Sequence, residues 1–356
     1  MPSRIKTAFQ TLCSKFGRHS IGTLLGIAIF IIAVVTLVRM LRKVDVNKIV
    51  EAMLATPASS MIVAGLCVAA AYVTLTFYDW FALRTIGRRD VPYRVAALSA
   101  FTSYAIGHNI GATVFTANFI RFRMYAAYAL TARDIAKMAF VTGLTFWLGN
   151  MFVLGIGICY RPEAASAIDQ LPAWLNRAIA IAMLLTICGY IAWVAQGPRA
   201  IGRNGWSITL PSARLTLVQI VIGMFDMGLS GLAMYALLSA NASVDFIDVL
   251  VSFIASVLLG FASHAPGGIG VFDTSMLLAL PQIETEKLVA ALLLFRLMYY
   301  IAPFALALII LGIRELRLYF APPSAQINVR CDTPPRTPLD GTRTCCLLYT
   351  SDAADE

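Results

Sequence analysis

Val249-Leu-Val-Ser-Phe-Ile-Ala-Ser-Val-Leu-Leu-Gly-Phe-Ala-Ser-His-Ala-Pro-Gly-Gly-Ile-Gly-Val-Phe272 carries no formal charge, yet His264-Ala-Pro-Gly-Gly-Ile-Gly270 interrupts it at a depth where a helix should run unbroken. Proline lacks the backbone donor a helix needs, and glycine readily leaves helical geometry. In hydrocarbon the freed backbone groups would find no partner. Such a break therefore belongs inside protein or against a polar cavity. Val95 to Ile120 has the same design, uncharged and interrupted by Gly107-His-Asn-Ile-Gly111. Interrupted segments in two halves of a membrane protein point to a transport site.

The rest of the chain is the matrix around these two breaks. Hydrophobic residues make up 59% and charged residues 13% of the 356, with a formal net charge of +9. That is about half the charge of a soluble domain. Apolar runs of roughly 20 residues, enough to cross a bilayer, give the candidate spans Ile21–Leu41, Met61–Leu83, Met138–Tyr160, Ala178–Ala195, Leu215–Ala240 and Leu288–Gly312. The first is too long for a signal-peptide core and is followed by Arg39 and Arg42, not by a cleavage site.

Charge placement orients these spans. Arg4, Lys6, Lys15 and Arg18 put residues 1–20 in the cytoplasm by the positive-inside rule. Arg84, Arg88, Arg89 and Arg94 precede the first broken segment, and Arg121, Arg123, Arg133 and Lys137 follow it. Both clusters stay inside only if that segment dips in and returns. The stretch from Arg161 to Arg177 reads as outside, Arg199, Arg203 and Arg214 as inside, and Asn241–Asp248 as outside. The second broken segment then returns to its own side, because Arg314 and Arg317 favour a cytoplasmic end. Arg39, Arg42, Lys43 and Lys48 break the pattern and suggest an interfacial helix, with Val46, Ile49, Val50, Met53 and Leu54 on one face. The expected fold is an all-α polytopic membrane protein over 21–317, with about six full spans and two re-entrant helical hairpins in an inverted-repeat arrangement.

Residues 318–345 are rich in Pro, Thr and Arg and are expected to be disordered. The closing stretch 346–356 resembles the translation of a sequencing adapter; without its Asp352, Asp355 and Glu356 the net charge becomes +12. The natural reading frame is then expected to extend past Thr344. Three histidines and no CxxC pattern leave no metal site or cofactor signature. Nothing points to nucleic acid as a partner, and a homo-oligomer stays open.

Candidate site residues follow from charge in apolar surroundings. Asp226 lies near the centre of one span and Arg296 well inside another; intramembrane charges usually face the bundle interior and pair, so these two are the expected pair. Asp79 sits near the cytoplasmic end of its span, where snorkelling and a substrate role are both open. Arg121 and Arg123 flank the exit of the first hairpin, at its cytoplasmic mouth, and guanidinium forks suit phosphate. His108 and Asn109 occupy the first tip. His264, Gly267, Gly268 and Gly270 occupy the second, where half-helix amides can face an anion.

Several runs also carry a resemblance: Ser103-Tyr-Ala-Ile-Gly-His-Asn-Ile-Gly-Ala112, Ile120-Arg-Phe-Arg-Met-Tyr125, Asp134-Ile-Ala, Leu144-Thr-Phe-Trp-Leu-Gly149 and Ser263-His-Ala-Pro-Gly-Gly-Ile-Gly-Val-Phe-Asp273. Together they resemble the transmembrane region of bacterial lysylphosphatidylglycerol synthetases, the multiple peptide resistance factors, and their stand-alone relatives. The resemblance covers roughly Ile21 to Arg317. It implies a flippase for aminoacylated phosphatidylglycerol in the bacterial inner membrane, with membrane phospholipid as partner and a role in antimicrobial peptide resistance. It implies no catalytic residue in this region, since the transferase of that family is a separate C-terminal domain. Asp273 stands where the family commonly has Glu. Two alternatives remain: the membrane half of a longer aminoacyl-phosphatidylglycerol synthetase, or a small-anion or drug transporter on the same fold.

Overall fold

A computed structural model describes residues 46–320, apart from 111–112, 198, 204–205, 240–243 and 264–265. The expected first span Ile21–Leu41, the segment 1–20 and residues 321–356 lie outside the described residues.

The described chain is helical almost throughout. Its helices are α1 (Val46–Ala55), α2 (Ala58–Thr85), α3 (Tyr93–Ile110), α4 (Thr113–Met124), α5 (Ala132–Tyr160), α6 (Pro162–Asp169) and α7 (Ala173–Ala195). A small antiparallel hairpin follows, β1 (Ala200–Arg203) with β2 (Trp206–Thr209). Then come α8 (Ala213–Ser239), α9 (Phe246–Ala262), α10 (Val271–Ala279), α11 (Thr285–Arg296), a π turn over Leu297–Ile301 and α12 (Ala302–Phe320). Five stretches are long and apolar enough to cross a membrane: Ala58–Thr85, Ala132–Tyr160, Ala173–Ala195, Ala213–Leu238 and Thr285–Arg314. They coincide with the five expected spans that fall within the described residues. Because α12 reaches Phe320, residues 318–320 are helical rather than part of a disordered tail.

Both broken segments are pairs of helices packed against each other, α3 on α4 and α9 on α10. The first break falls later than its glycines suggest, because Gly107 to Ile110 continue α3. At about 1.5 Å per residue, α4 and α10 span only ~18 and ~14 Å, well short of a hydrocarbon core. The feet of the first pair lie together: Arg88, just before α3, donates to Tyr128 O, just after α4, and also bonds Asp90 and approaches Asp134. Asp134 caps the start of α5 through a reciprocal bond with Thr131. The other end of α5 adjoins the second pair, since Arg161 reaches Asp245 at 3.1 Å and Asp248 at 4.0 Å at the start of α9. Helix α6, which follows Arg161, packs on both α9 and α10. The two helix pairs therefore rise from opposite ends of α5.

The core lies among α2, α8, α9, α10 and α11, where Tyr72, Tyr78, Met234, Phe253, Phe272 and Phe295 interlock. Helices α5 and α8 cross at a glycine pair: a Cβ on Gly149 would lie 2.4 Å from Gly223 Cα. Such close approach is how membrane helices gain packing contacts where apolar burial gains nothing over lipid. Beside it Gln219 Nε2 donates to Thr145 Oγ1 at 2.8 Å and Val141 O at 3.3 Å. The run Leu144–Gly149 therefore serves this crossing. Phe115, Phe119, Leu185 and Phe225 face outward, as lipid-facing side chains do. In α1, Ile49 and Met53 pack on the protein while Val50 and Leu54 stay exposed, so its apolar residues divide between protein and surroundings.

Candidate functional site

Helix α2 supplies Asp79, nearly two turns before its end and completely buried. Arg121 of α4, 3% exposed, grips it with Nε at 3.0 Å from both carboxylate oxygens and Nη2 at 2.7 Å from Oδ1. Tyr125 OH donates to Oδ2 at 3.1 Å, and Arg121 Nη1 donates to Asn118 Oδ1 at 3.1 Å. Such forked, fully bonded geometry is what makes burying two charges tolerable. Arg121 thus corrects its sequence assignment: it lies inside the bundle on Asp79, not at an open mouth, and Asp79 does not snorkel. Arg123, two residues on, points to the exposed side of α4.

At the other end of the site, Asp273 sits in the first turn of α10 and accepts from Gly270 N at 3.0 Å, capping the helix. Arg296 Nε and Nη2 donate to the same carboxylate at 3.0 and 2.6 Å, and Nη1 donates to Gly267 O at 3.2 Å. One arginine thereby pins the second break to the α11–α12 rod. The expected Asp226–Arg296 pair does not form. Arg296 turns to Asp273, while Asp226, 1% exposed, accepts from Tyr78 OH at 3.0 Å through Oδ2, and its Oδ1 has no partner among the described residues. Depth in the membrane can be read from hydropathy, but partners also depend on which way each helix is rotated.

The two breaks meet. A Cβ on Gly267 would lie 3.5 Å from His108 O and 3.8 Å from Arg296 Nη1. Gly267, Gly268 and Gly270 have φ of 59, 63 and 83°, left-handed values that side chains disfavour. Asn109 Nδ2 donates to Ala105 O at 2.8 Å and across to Tyr300 O at 3.0 Å. Tyr72 OH donates to Tyr299 O at 3.0 Å. Both receiving carbonyls belong to the π turn, where the helical bonding pattern is interrupted. His264 lies outside the described residues.

An aromatic row joins the two ion pairs. The Arg121 guanidinium lies 4.9 Å from the Tyr104 ring centre, Tyr104 is 5.7 Å from His108, and His108 is 6.3 Å from Tyr299 and 6.4 Å from Tyr300. Tyr300 in turn lies 5.7 Å from the Arg296 guanidinium. The arrangement brings together Asp79, His108, Asn109, Arg121, Gly267, Asp273 and Arg296, with Asp226 beside the row through Tyr78. Sequence reasoning missed Tyr72, Tyr78, Tyr104, Tyr125, Tyr299 and Tyr300. Thirteen tyrosines are scattered along an apolar chain, and only the clustering of Tyr299-Tyr300 three residues past Arg296 was a signal.

Fold and site together define a polytopic, almost wholly helical membrane protein organised around two broken segments whose tips touch between a buried and a part-buried ion pair. No protein-family model matches the chain. Its relatives include the "Uncharacterized protein slr0712" of Synechocystis, 28% identical over 246 residues that cover 69% of this chain and 76% of that one. Another is the "Inner membrane protein YbhN" of Escherichia coli, 28% identical over 287 residues, covering 79% and 88%. A phosphatidylglycerol lysyltransferase of Staphylococcus haemolyticus is 24% identical over 285 residues, 79% of this chain but 32% of that enzyme. The resemblance read from the motifs is therefore found, in long lysyltransferases and in shorter stand-alone proteins alike. The chain spans about a third of the length of the lysyltransferase.

Proposed function

We propose that this protein translocates phosphatidylglycerol, or an aminoacylated form of it, across the bacterial inner membrane. The two helix pairs are re-entrant hairpins entering from opposite sides, with the N-terminus in the cytoplasm. The observation that carries the reading is the meeting of the two breaks, Gly267 against His108, between Asp79–Arg121 and Asp273–Arg296. A phosphate diester needs cationic partners at depth, and both arginines are held in forked geometry, Arg121 desolvated and Arg296 part-buried, ready to exchange a carboxylate for a phosphate. Similarity to an inner membrane protein and to lysyltransferases that act on phosphatidylglycerol supports the membrane and the substrate class.

The test is reconstitution in vesicles with head-group-labelled phosphatidylglycerol and its lysyl ester, reading how fast each lipid changes leaflet. Transfer of at least one lipid well above protein-free vesicles is expected. Transfer of neither would overturn the reading. A second reading draws on the lysyltransferases' greater length: the region serves as the membrane half of an aminoacyl-lipid synthetase. Co-expression with a lysyltransferase domain, scored by lysyl-lipid reaching the outer leaflet, separates a partner of synthesis from a self-sufficient translocase.

A further inference from the structure

Among the described residues, Asp226 is the one buried carboxylate of the site without a counter-charge. It lies at the middle of α8, with one oxygen on Tyr78 OH and the other without a partner among those residues. The titratable groups facing it are phenols: Tyr72 and Tyr78 from α2, Tyr104 from α3 and Tyr299 from the π turn. The charged groups of the other elements packed on α8 lie elsewhere. Arg133, Asp134 and Lys137 are near the start of α5 and Arg177 near that of α7. Asp248 approaches Arg161, Glu286 and Lys287 are at the start of α11, and Arg296 is on Asp273. A carboxylate so placed loses its water and gains a single hydrogen bond, whereas a neutral carboxylic acid forfeits far less. A metal ion asks for several oxygen ligands; here Tyr78 OH is already spent on Asp226 and Tyr72 OH on Tyr299 O, and no group of three His, Cys, Asp or Glu gathers among the described residues. The cation that fits one bare oxygen is a proton.

We propose that Asp226 is a proton-binding site, and that its loading and release are coupled to the first hairpin, making the proton the ion exchanged during lipid movement. The last clause rests on the translocase reading; the proton site does not. Coupling runs through adjacent residues of α2, since Tyr78 holds Asp226 while Asp79 holds Arg121. Tyr104 touches both, 6.0 Å from the Tyr78 ring and 4.9 Å from the Arg121 guanidinium. In the release step the Asp226 O–H bond breaks, the electron pair stays on the carboxylate, and the proton passes to water on the side then open. The new anion competes with Asp79 for Arg121, the guanidinium next along this contact chain, and so loosens α4. Reloading restores the arrangement described here.

Infrared spectroscopy in ester-free detergent reads the proton without any transport. The wild-type protein should have a protonated-carboxyl band near neutral pH that disappears in Asp226→Asn. In Tyr78→Phe the band's pH midpoint should move to higher pH, because the lost hydrogen bond had favoured the anion. In vesicles carrying a pH gradient, lipid transfer by wild type should change with the gradient, and Asp226→Asn should lose that response. Absence of the band, or its loss on adding lysyl-lipid at constant pH, overturns the proton site; the second result would mean that Asp226 binds the head-group ammonium. An unchanged gradient response in Asp226→Asn overturns the coupling. A titrating band in a protein that moves no lipid leaves the proton site standing and sinks the translocase reading instead. Should Asp226→Asn fail to fold, the wild-type band and its displacement in Tyr78→Phe decide alone, and no displacement counts against the proposal.

Discussion

Arg121 and Asp79 illustrate what a buried ion pair asks of its surroundings. Four hydrogen bonds converge on one carboxylate, three from Arg121 and one from Tyr125. Removing one partner strands the other. Arg121→Ala should destabilise the protein by about 3–5 kcal/mol, read as a lowered unfolding temperature in detergent. The double variant Asp79→Leu with Arg121→Leu should lose clearly less than the sum of the two single losses, because no charge is left stranded. Additive losses would mean the pair does not act as a unit. Arg121→Lys keeps the charge but not the fork, so abundance should hold while transfer of labelled lipid falls. Wild-type transfer in that variant would place phosphate recognition elsewhere.

The elements were legible to very different degrees. The spans are one-dimensional features, and the runs Met61–Leu83 and Met138–Tyr160 fall within α2 and α5. The second break was equally plain, because Pro266-Gly-Gly-Ile-Gly270 cannot continue a helix, and the three left-handed glycines bear this out. The first was located less well: Gly107 looked like a breaker, yet the helix runs through it to Ile110. The π turn left no trace in the sequence at all. It arises because Tyr72 and Asn109, far away in the chain, take up the carbonyls of Tyr299 and Tyr300. Asn109→Leu should therefore leave Tyr300 O short of a donor and cost about 1–3 kcal/mol, seen as a lower unfolding temperature, while Asn109→Gln should recover part of it. Gly268→Leu tests the other tip. At φ 63° a side chain is strained, and its Cβ would already lie 3.4 Å from that of Phe272. A loss of about 1–2 kcal/mol is expected from the left-handed backbone alone, with slower lipid transfer. A variant as stable and active as wild type would mean the tip is free to rearrange.

At the scale of the whole molecule, the arrangement turns on α5, a 29-residue rod with one helix pair rooted at each end. Arg88 binds beyond α4 to Tyr128 O and approaches Asp134 at the start of α5, so residues before and after the first broken segment share one end. Arg161 holds Asp245 at the opposite end. If α5 spans the membrane, single cysteines placed at Arg94 and at Ala127, in a background without the seven native cysteines, should be labelled by an impermeant reagent from the same face. A cysteine at Leu171, beyond α6, should be labelled only from the other. We propose that the first face is cytoplasmic, because the basic residues of Arg84–Arg94 and Arg121–Lys137 flank the segment on both sides. Labelling of Arg94 and Ala127 from opposite faces would mean that α3 and α4 cross the bilayer as one broken span. The inverted arrangement would then fail, and with it the meeting of two hairpins from opposite sides on which the transport reading depends.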